Sequence, residues 1–555
     1  MARPSGRPPR RARRALCVSL ALLLVLLAGG GPAGAARKKR RRGKPVSPIT
    51  SPVALQAAVK RAIRGECRRP KGVGVLIRAI FTGETLFAHR AGEKRIPASN
   101  VKILISAAAL ARLGPDYTFP TDVYADGPVS GGVLQGDLYL KGYGDPVLVP
   151  EKLHYLAHRV RLRGIRKVEG DLVADDTFFD SKRAGKGWKK GAARPYQAPH
   201  GALAVNFSVV TVYVEPGAKA RKRARVQIDP PSDGVRLVNR TVTGPRRGRS
   251  TIRIKRRTKD GVDIIEVRGR IPGHWPRVRY RVSVSDPTRF AATTFSAYLR
   301  GEGIRLEGGV RTGVTPPEAR LIERHLSRPL GAIIRDLNKF SNNFVAEQVL
   351  KTLGAEVEEP PGTAEKGLAV VRDFLERMGI PPGEFILADG SGLSRLNRLT
   401  PWVLVTVLEG IHRDFRLRPE FLASLAVIGV DGTVRKRLRR SKAARRIRAK
   451  TGLLFGVHAL SGYAAAKNGE TLAFSIIVNK EACRSKRLMN RISLAMTAFD
   501  RPHAGPLKRG FGEVRKMLSL PMPRPLRRDR WRRSGRARGE PSAPLSEEEG
   551  GGREK

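Results

Sequence analysis

A serine and a lysine three residues apart, Ser99-Asn100-Val101-Lys102, stand at the head of an apolar run. Positions i and i+3 share one face of a helix, so this spacing brings the Lys102 amine within reach of the Ser99 hydroxyl. A serine becomes a useful nucleophile when a neighbouring base takes its proton, and lysine serves once desolvation makes its neutral form accessible. Val101, Ile103, Leu104, Ile105, Ala107, Ala108, Ala109 and Leu110 make the run apolar nearly all round, which predicts a helix in the middle of a domain, with Gly114 as its stop. Taken alone, the pair also fits a helix start with a solvated lysine. Further parts must decide.

Two further motifs follow in order. Ser341-Asn342-Asn343 is a Ser-x-Asn in a predicted turn between helices, and Lys450-Thr451-Gly452 lies on a predicted strand followed at once by another. Each alone has a plain reading, as a helix cap or a strand end. The ordered trio Ser-x-x-Lys, Ser-x-Asn, Lys-Thr-Gly is that of serine acyl transferases that react with penicillins.

The elements that would position these groups come from both ends of the chain. Residues 53–64 pattern as an amphipathic helix, and residues 74–89 alternate as two strands about Thr82-Gly83. Residues 448–454, 458–467 and 471–480 read as three more strands, the last two joined by Asn468-Gly469, a strong hairpin signal. An apolar helix follows at about 489–499. These predict an α+β fold: one antiparallel five-stranded sheet flanked by helices. Residues 119–283 carry short alternating segments punctuated by Gly, Pro and Asp, expected to be an all-β insertion of one or two subdomains. Helical patterning resumes at Asp286-Pro287 and continues near 330–337, 343–353 and 363–378. The expected catalytic domain is therefore 53–118 with 284–520.

Composition narrows the setting. The formal charge is +58 over 555 residues, a field that favours anionic surroundings: nucleic acid, anionic lipid or an acidic wall polymer. Arg10–Arg14, the apolar run Ala15–Ala28 and Ala33-Gly34-Ala35 read as a secretory signal over 1–36, with an uncleaved anchor as the alternative. Behind an export signal, the Arg37–Lys44 arm, within a basic linker 37–52, is expected to touch anionic envelope polymer or membrane surface rather than nucleic acid. Residues 521–555 are expected to be a disordered tail. Cys17 lies in the signal, leaving Cys67 and Cys483, whose strand ends meet in an antiparallel pairing, so they form either a bridge or two free thiols. There is no Cys-x-x-Cys and no His-Glu-x-x-His, so no zinc site is expected. His154 and His158 share a helical face, expected to be solvated because no third ligand lies near in sequence.

The stretches PASNVK, GDLYLKGYGDPVL, YQAPHGALAVNFS, SNNFVAEQVLK, DGSGLSRLNRLTP, GVDGTVRKR and KTGLLFGVHALSGY, spanning about 53–500, give the chain a specific resemblance. It resembles the class C low-molecular-mass penicillin-binding proteins, the D-alanyl-D-alanine carboxypeptidase/endopeptidase family, whose transpeptidase-like, β-lactamase-like domain carries a large insertion after the nucleophile helix. The resemblance implies a periplasmic or cell-envelope enzyme that acts on peptidoglycan stem peptides through a serine ester and is acylated by β-lactams, and such acyl transfer needs no cofactor. It implies Ser99 as nucleophile, Lys102 as base, Ser341 as proton relay, and Asn343, Lys450, Thr451 and Gly452 as substrate contacts. Leu453 stands where Ser or Thr is expected, and its backbone N–H would join that of Ser99 in an oxyanion hole. Asp145, from the insertion, and Arg395 are implied to flank a pocket for a diaminopimelate side chain, although Asp145 before Pro146 also fits a plain turn. The competing readings are a serine β-lactamase, disfavoured by the long insertion, and an idle wall-binding protein.

Overall fold

The computed structural model describes residues 48–188, 193–479 and 482–502. The expected signal segment, residues 37–47 of the basic linker, residues 503–520 of the expected catalytic domain and the expected tail lie outside the described residues.

The chain opens with α1 (Pro52–Glu66), started by Ser51, whose hydroxyl accepts from Ala54 N at 3.2 Å, and by proline in the first turn. Strands β1 (Val73–Ala79) and β2 (Thr85–His89) form the hairpin read from the alternation, and α2 (Val101–Leu113) follows. The inserted region begins with β3 (Pro120–Ala125) and β4 (Leu138–Gly142), continues through α3 (Pro150–Leu162) to β5 (Leu172–Asp175), and then carries six longer strands. These are β6 (Val209–Glu215), β7 (Arg225–Asp229), β8 (Val235–Gly244), β9 (Arg253–Lys259), β10 (Val262–Pro272) and β11 (Val278–Ser283). Helix α4 (Pro287–Gly301) starts where Asp286-Pro287 predicts, the Asp286 carboxylate accepting from Thr288 N and Arg289 N. Strands β12 (Val310–Thr312) and β13 (Arg320–Leu326) lead to helices α5 (Leu330–Phe340), α6 (Asn343–Glu358), α7 (Ala364–Arg377) and α8 (Pro401–Arg413). The chain closes with β14 (Ala426–Val427), β15 (Ile447–Leu454), β16 (Val457–Ala465), β17 (Thr471–Asn479) and α9 (Ser485–Ala498).

The catalytic sheet has the order β2-β1-β17-β16-β15-β14, antiparallel throughout. It contains the expected five strands plus the two-residue edge β14. Strand β1 lies between β2 and β17, so the two ends of the chain meet inside one sheet. Both faces are covered. On one, Leu55, Val59 and Ile63 of α1 and Leu488, Ile492 and Met496 of α9 pack on Ile77, Phe474 and Ile476. On the other, α2, α5, α6, α7 and α8 share a core with Leu76, Ala459 and Ile477. Cys67 and Cys483 are joined by a disulfide at the edge of this assembly, resolving the alternative left open by the sequence.

The insertion departs from the all-β expectation in two ways. Helix α3 lies within it, burying Leu153, Leu156, Ala157 and Val160. Its hydrophobic core also runs past residue 283 to take in Phe290, Phe295 and Leu299 of α4 and Ile322 of β13. Strand β12 pairs with β5 and β13 with β3, so the compact inserted unit extends to about Leu326. The pattern change at Asp286 marks a helix start, not the unit's edge.

Candidate active site

Ser99 sits in a single 3-10 turn, Ala98–Asn100, immediately before α2. Ala98 has φ +48°, a left-handed conformation that costs a residue with a Cβ of order 1–3 kcal/mol and is held only where surroundings impose it. Two glycines press on this turn. A Cβ on Gly452 would come within 2.6 Å of Pro97 O, and one on Gly392 within 2.0 Å of Ala98 O. Glycine in Lys-Thr-Gly thus has a steric reason. Asn100 Nδ2 donates to Ser461 Oγ at 2.7 Å, and Ser461 to Ser475 at 2.9 Å, tying the turn to β16 and β17.

The Lys102 side chain is fully buried. Its amine donates to Ser99 Oγ at 3.1 Å, to Asn343 Oδ1 at 2.8 Å and to the Ser391 carbonyl, so all three donors have acceptors. Burial drives its pKa down, opposed by the negative charges of Asp389 and Glu347, leaving it at about 8. A neutral lysine is then within easy reach near neutral pH, and its freed lone pair would face the Ser99 hydroxyl.

A second lysine–serine pair faces the first. Ser341 caps α5 in a left-handed conformation, φ +59°, and Asn343 two residues later begins α6. Lys450 Nζ, also fully buried, donates to Ser341 Oγ at 2.7 Å and to Thr451 O at 2.9 Å. Burial, with the Lys102 charge nearby, holds its pKa well below the ordinary lysine value. Thr451 Oγ1 is 2.8 Å from Thr433 Oγ1. Leu453, where a hydroxyl residue was expected, is 65 % exposed, with Phe455 on the same rim.

Several residues of this site escaped the sequence reading. Glu347, one helical turn beyond Asn343 on α6, is fully buried and accepts from Gly390 N at 3.1 Å and Ser391 N at 2.8 Å. It thereby fixes the loop whose Ser391 carbonyl holds Lys102. Burial and the charge of Asp389 push its pKa up to about 7. Asp389 accepts from Gly392 N (2.8 Å), Ser394 N (2.7 Å), Asn397 Nδ2 (2.7 Å) and, across from the insertion, Trp188 Nε1 (2.9 Å). Asn343 Nδ2 donates to Tyr196 O at 2.9 Å, so a second inserted residue borders the site. The i+4 spacing of Glu347 from Asn343, which puts the carboxylate one turn along the same helix face, was the available signal.

Asp145 and Arg395, expected to flank the pocket for the substrate side chain, have different settings. Asp145 is buried, its carboxylate accepting from Val147 N at 2.8 Å, as the turn reading requires. The neighbouring Gly144 abuts Thr352, nine residues along α6 from Asn343 and therefore about 13 Å from the helix start. Burial pushes the Asp145 carboxyl up to about 7, against the Val147 N–H and the Arg328 charge, which pull it down. Arg395, in contrast, lies at the rim, donating to Phe455 O at 2.9 Å. The insertion also borders the site through Trp188 and Tyr196.

His154 and His158 do share a helix face, and each contacts one oxygen of Glu302 at 2.9 Å. Among the described residues no group of three or more such side chains is arranged to hold a metal. No helix among them is long and apolar enough to cross a membrane.

With this geometry in view, comparison with known proteins is informative. Residues 55–499 match the model of the D-Ala-D-Ala carboxypeptidase 3 (S13) family. The chain is similar to a D-alanyl-D-alanine carboxypeptidase of Actinomadura sp. (strain R39), 37% identical over 422 residues, covering 73% of this chain and 77% of that one. It is also similar to D-alanyl-D-alanine carboxypeptidase DacB of Haemophilus influenzae, 27% identical over 416 residues, covering 74% and 86%. The crystal structure of penicillin binding protein 4 (dacB) from H. influenzae has the same fold, with a TM-score of 0.69 at 24% identity, covering 79% of this chain and 97% of that chain.

Proposed function

The chain belongs to the D-Ala-D-Ala carboxypeptidase 3 (S13) family and is a serine-type D-alanyl-D-alanine carboxypeptidase, and from that premise we propose that Ser99 carries the acyl group. The observation that supports this most is the pairing of two fully buried lysines with two serines, Lys102 with Ser99 at 3.1 Å and Lys450 with Ser341 at 2.7 Å.

Neutral Lys102 takes the Ser99 proton as Oγ attacks the carbonyl carbon of the penultimate D-alanine of a peptidoglycan stem peptide. Backbone N–H groups of Ser99 and Leu453 receive the developing oxyanion, each such donor being worth about 3 to 4 kcal/mol. The C–N bond to the terminal D-alanine breaks, and Ser341, fed by Lys450, delivers a proton to the leaving amine. Asn343 holds the substrate amide, while Lys450, Thr451 and Gly452 border the place of the terminal carboxylate. Water then hydrolyses the ester: the proton held by Lys102 returns to Ser99 Oγ, leaving Lys102 neutral again, and the water's proton passes through Ser341 to replace the one Lys450 gave up. A β-lactam presents an equivalent carbonyl and would be held as a stable ester. The H. influenzae protein has been captured in complex with a β-lactam, which favours that reading here.

Family membership fits an extracytoplasmic setting, and there the Arg37–Lys44 arm would meet anionic envelope polymer or membrane surface. The test of the site is incubation with a fluorescent penicillin followed by mapping of the labelled residue. Stoichiometric ester at Ser99 and D-alanine release from a stem peptide are expected. Rapid turnover of the penicillin without D-alanine release would favour a β-lactamase.

A further inference from the structure

Within the insertion the cationic excess is concentrated in one stretch. Between residues 219 and 281 there are 20 Lys and Arg against five Asp and Glu. Two three-stranded sheets carry them, ordered β7-β6-β11 and β8-β10-β9. Val210, Val212 and Val214 of the first and Ile265, Val267 and Ile271 of the second enter one shared core. Because side chains alternate, the remaining positions look away from that core.

On the second sheet the register aligns Arg240, Arg268 and Arg253 in one row across three strands. In the next row Lys255 lies beside Glu266, the acid of this face, which Arg240 and Arg268 approach only to 3.5 and 3.8 Å. On the first sheet, Arg279 lies beside Tyr213 and Arg281 beside Thr211, while Arg225 starts β7 and meets Glu215, an acid of this face, at 3.1 Å. The Arg277 guanidinium stacks 4.0 Å from the Tyr213 ring centroid. All the cations of this paragraph except Arg277 belong to exposed strand positions.

We propose that these two outer faces bind a flexible anionic polymer of the cell envelope joined by phosphodiesters. Three observations select that partner. Successive outward residues along a strand are about 6.6–6.8 Å apart, which gives a ladder of charges for a chain with one anion per short repeat. Arginine predominates over lysine, and its planar fork matches phosphate oxygens in pairs. A bilayer fits poorly: surface-lying segments combine cations with large apolar side chains, and among the described residues no large exposed hydrophobic lies between 197 and 313. A flat surface would also meet one face at a time, whereas a flexible polymer reaches both. The proposal uses the envelope setting only for where such polymers are encountered.

The test uses the full chain and a fluorescent poly(glycerol phosphate), with binding followed by anisotropy from about 50 to about 200 mM salt. Two variants remove cations from one face each: R240Q/R253Q/K255Q/R268Q and R225Q/R279Q/R281Q. Each neutralised contact should reduce the slope of log K against log salt by about 0.7, so the first variant should lose about 50-fold less affinity than the unmodified chain over that range. D-alanine release from a short soluble peptide should be unchanged, which also shows that both variants are folded. Unmodified slopes in both variants would overturn the proposal, leaving the terminal basic segments as the polymer contacts. So would binding to phosphatidylglycerol/phosphatidylcholine vesicles that depends on these residues while polymer binding does not. Failure of D-alanine release by the unmodified chain would count against the peptidase reading and leave the binding result standing.

Discussion

The two halves of this molecule handle charge in opposite ways. Around Ser99 the charges are interior: Lys102, Lys450, Glu347 and Asp389 are all buried, each held by hydrogen bonds to specific backbone or side-chain atoms. In the insertion the apolar residues are inside and the cations stand in rows on the outer faces of two sheets. Desolvation governs the first region, because burial changes what a lysine is chemically, lowering its pKa towards the working pH. Salt governs the second, because exposed charges beyond about 10 Å are screened at 0.1 M. Substitutions in the first region should change chemistry and stability and ignore salt; those in the second should change salt-dependent binding and ignore chemistry.

The largest effect expected is at the nucleophile. Ser99→Ala should reduce D-alanine release at least about 10⁴-fold and abolish penicillin labelling; persistent stoichiometric labelling of that variant would break the assignment. Next comes the disulfide. Replacing Cys67 and Cys483 by alanine should cost about 2–5 kcal/mol in denaturant or thermal unfolding, and the denatured, unreduced protein should show neither thiol free.

Asp145→Asn should act on stability in the opposite direction. A carboxyl whose pKa is raised in the folded state opposes folding progressively as pH rises from its unfolded value, about 4, through its folded value of about 7. The variant should gain on the parent across that window, by about 1–4 kcal/mol above pH 7, as read from unfolding at pH 4 and pH 8. It should cut peptides with and without a free amine in the parent's ratio. A selective loss on the amine-bearing peptide would assign Asp145 to the specificity pocket.

A smaller effect tests how the interior acids tune the base. With Lys102 at about pH 8, kcat/KM should fall about tenfold per pH unit below that value. Glu347→Gln removes one of the charges that hold this pKa up, so the acid limb should move to lower pH by up to about one unit. An unmoved limb would leave Glu347 only a packing role. Smallest of all, deleting Arg37–Lys44 should weaken binding to anionic polymer at low salt without changing cleavage of a short peptide. Equal binding before and after deletion would remove the arm from the account.

Much of the site was legible because its chemistry is local in sequence. Ser99 and Lys102 are joined by one helical turn, and hairpin and capping signals at Asn468-Gly469 and Asp286-Pro287 mark element ends that the structure shares. What sequence could not supply was which distant groups share a buried volume. Glu347 and Asp389 read as ordinary acids until the fold brings both behind Lys102, and Trp188 reaches Asp389 from 201 residues away. Asp145 keeps both of its sequence readings for the complementary reason. An acid next to a proline in a conspicuous motif invites a functional role, yet the backbone N–H of Val147 satisfies one of its oxygens locally. The inserted unit's edge was misplaced because a change from strand to helix pattern says nothing about which core the helix joins.

Strand β1 between β2 and β17 has a consequence in time as well as space. A chain made from its amino end presents Ser99 early, yet the sheet supporting that serine is incomplete until residues 471–479 have followed, and Cys483 then fastens the late segment to Cys67. Lys450, too, is among the late arrivals. The enzyme is therefore latent throughout its own synthesis: a nascent chain carries its nucleophile for hundreds of residues without a site to use it in. Arrival of residues 471–483 is what turns the early serine into part of a site.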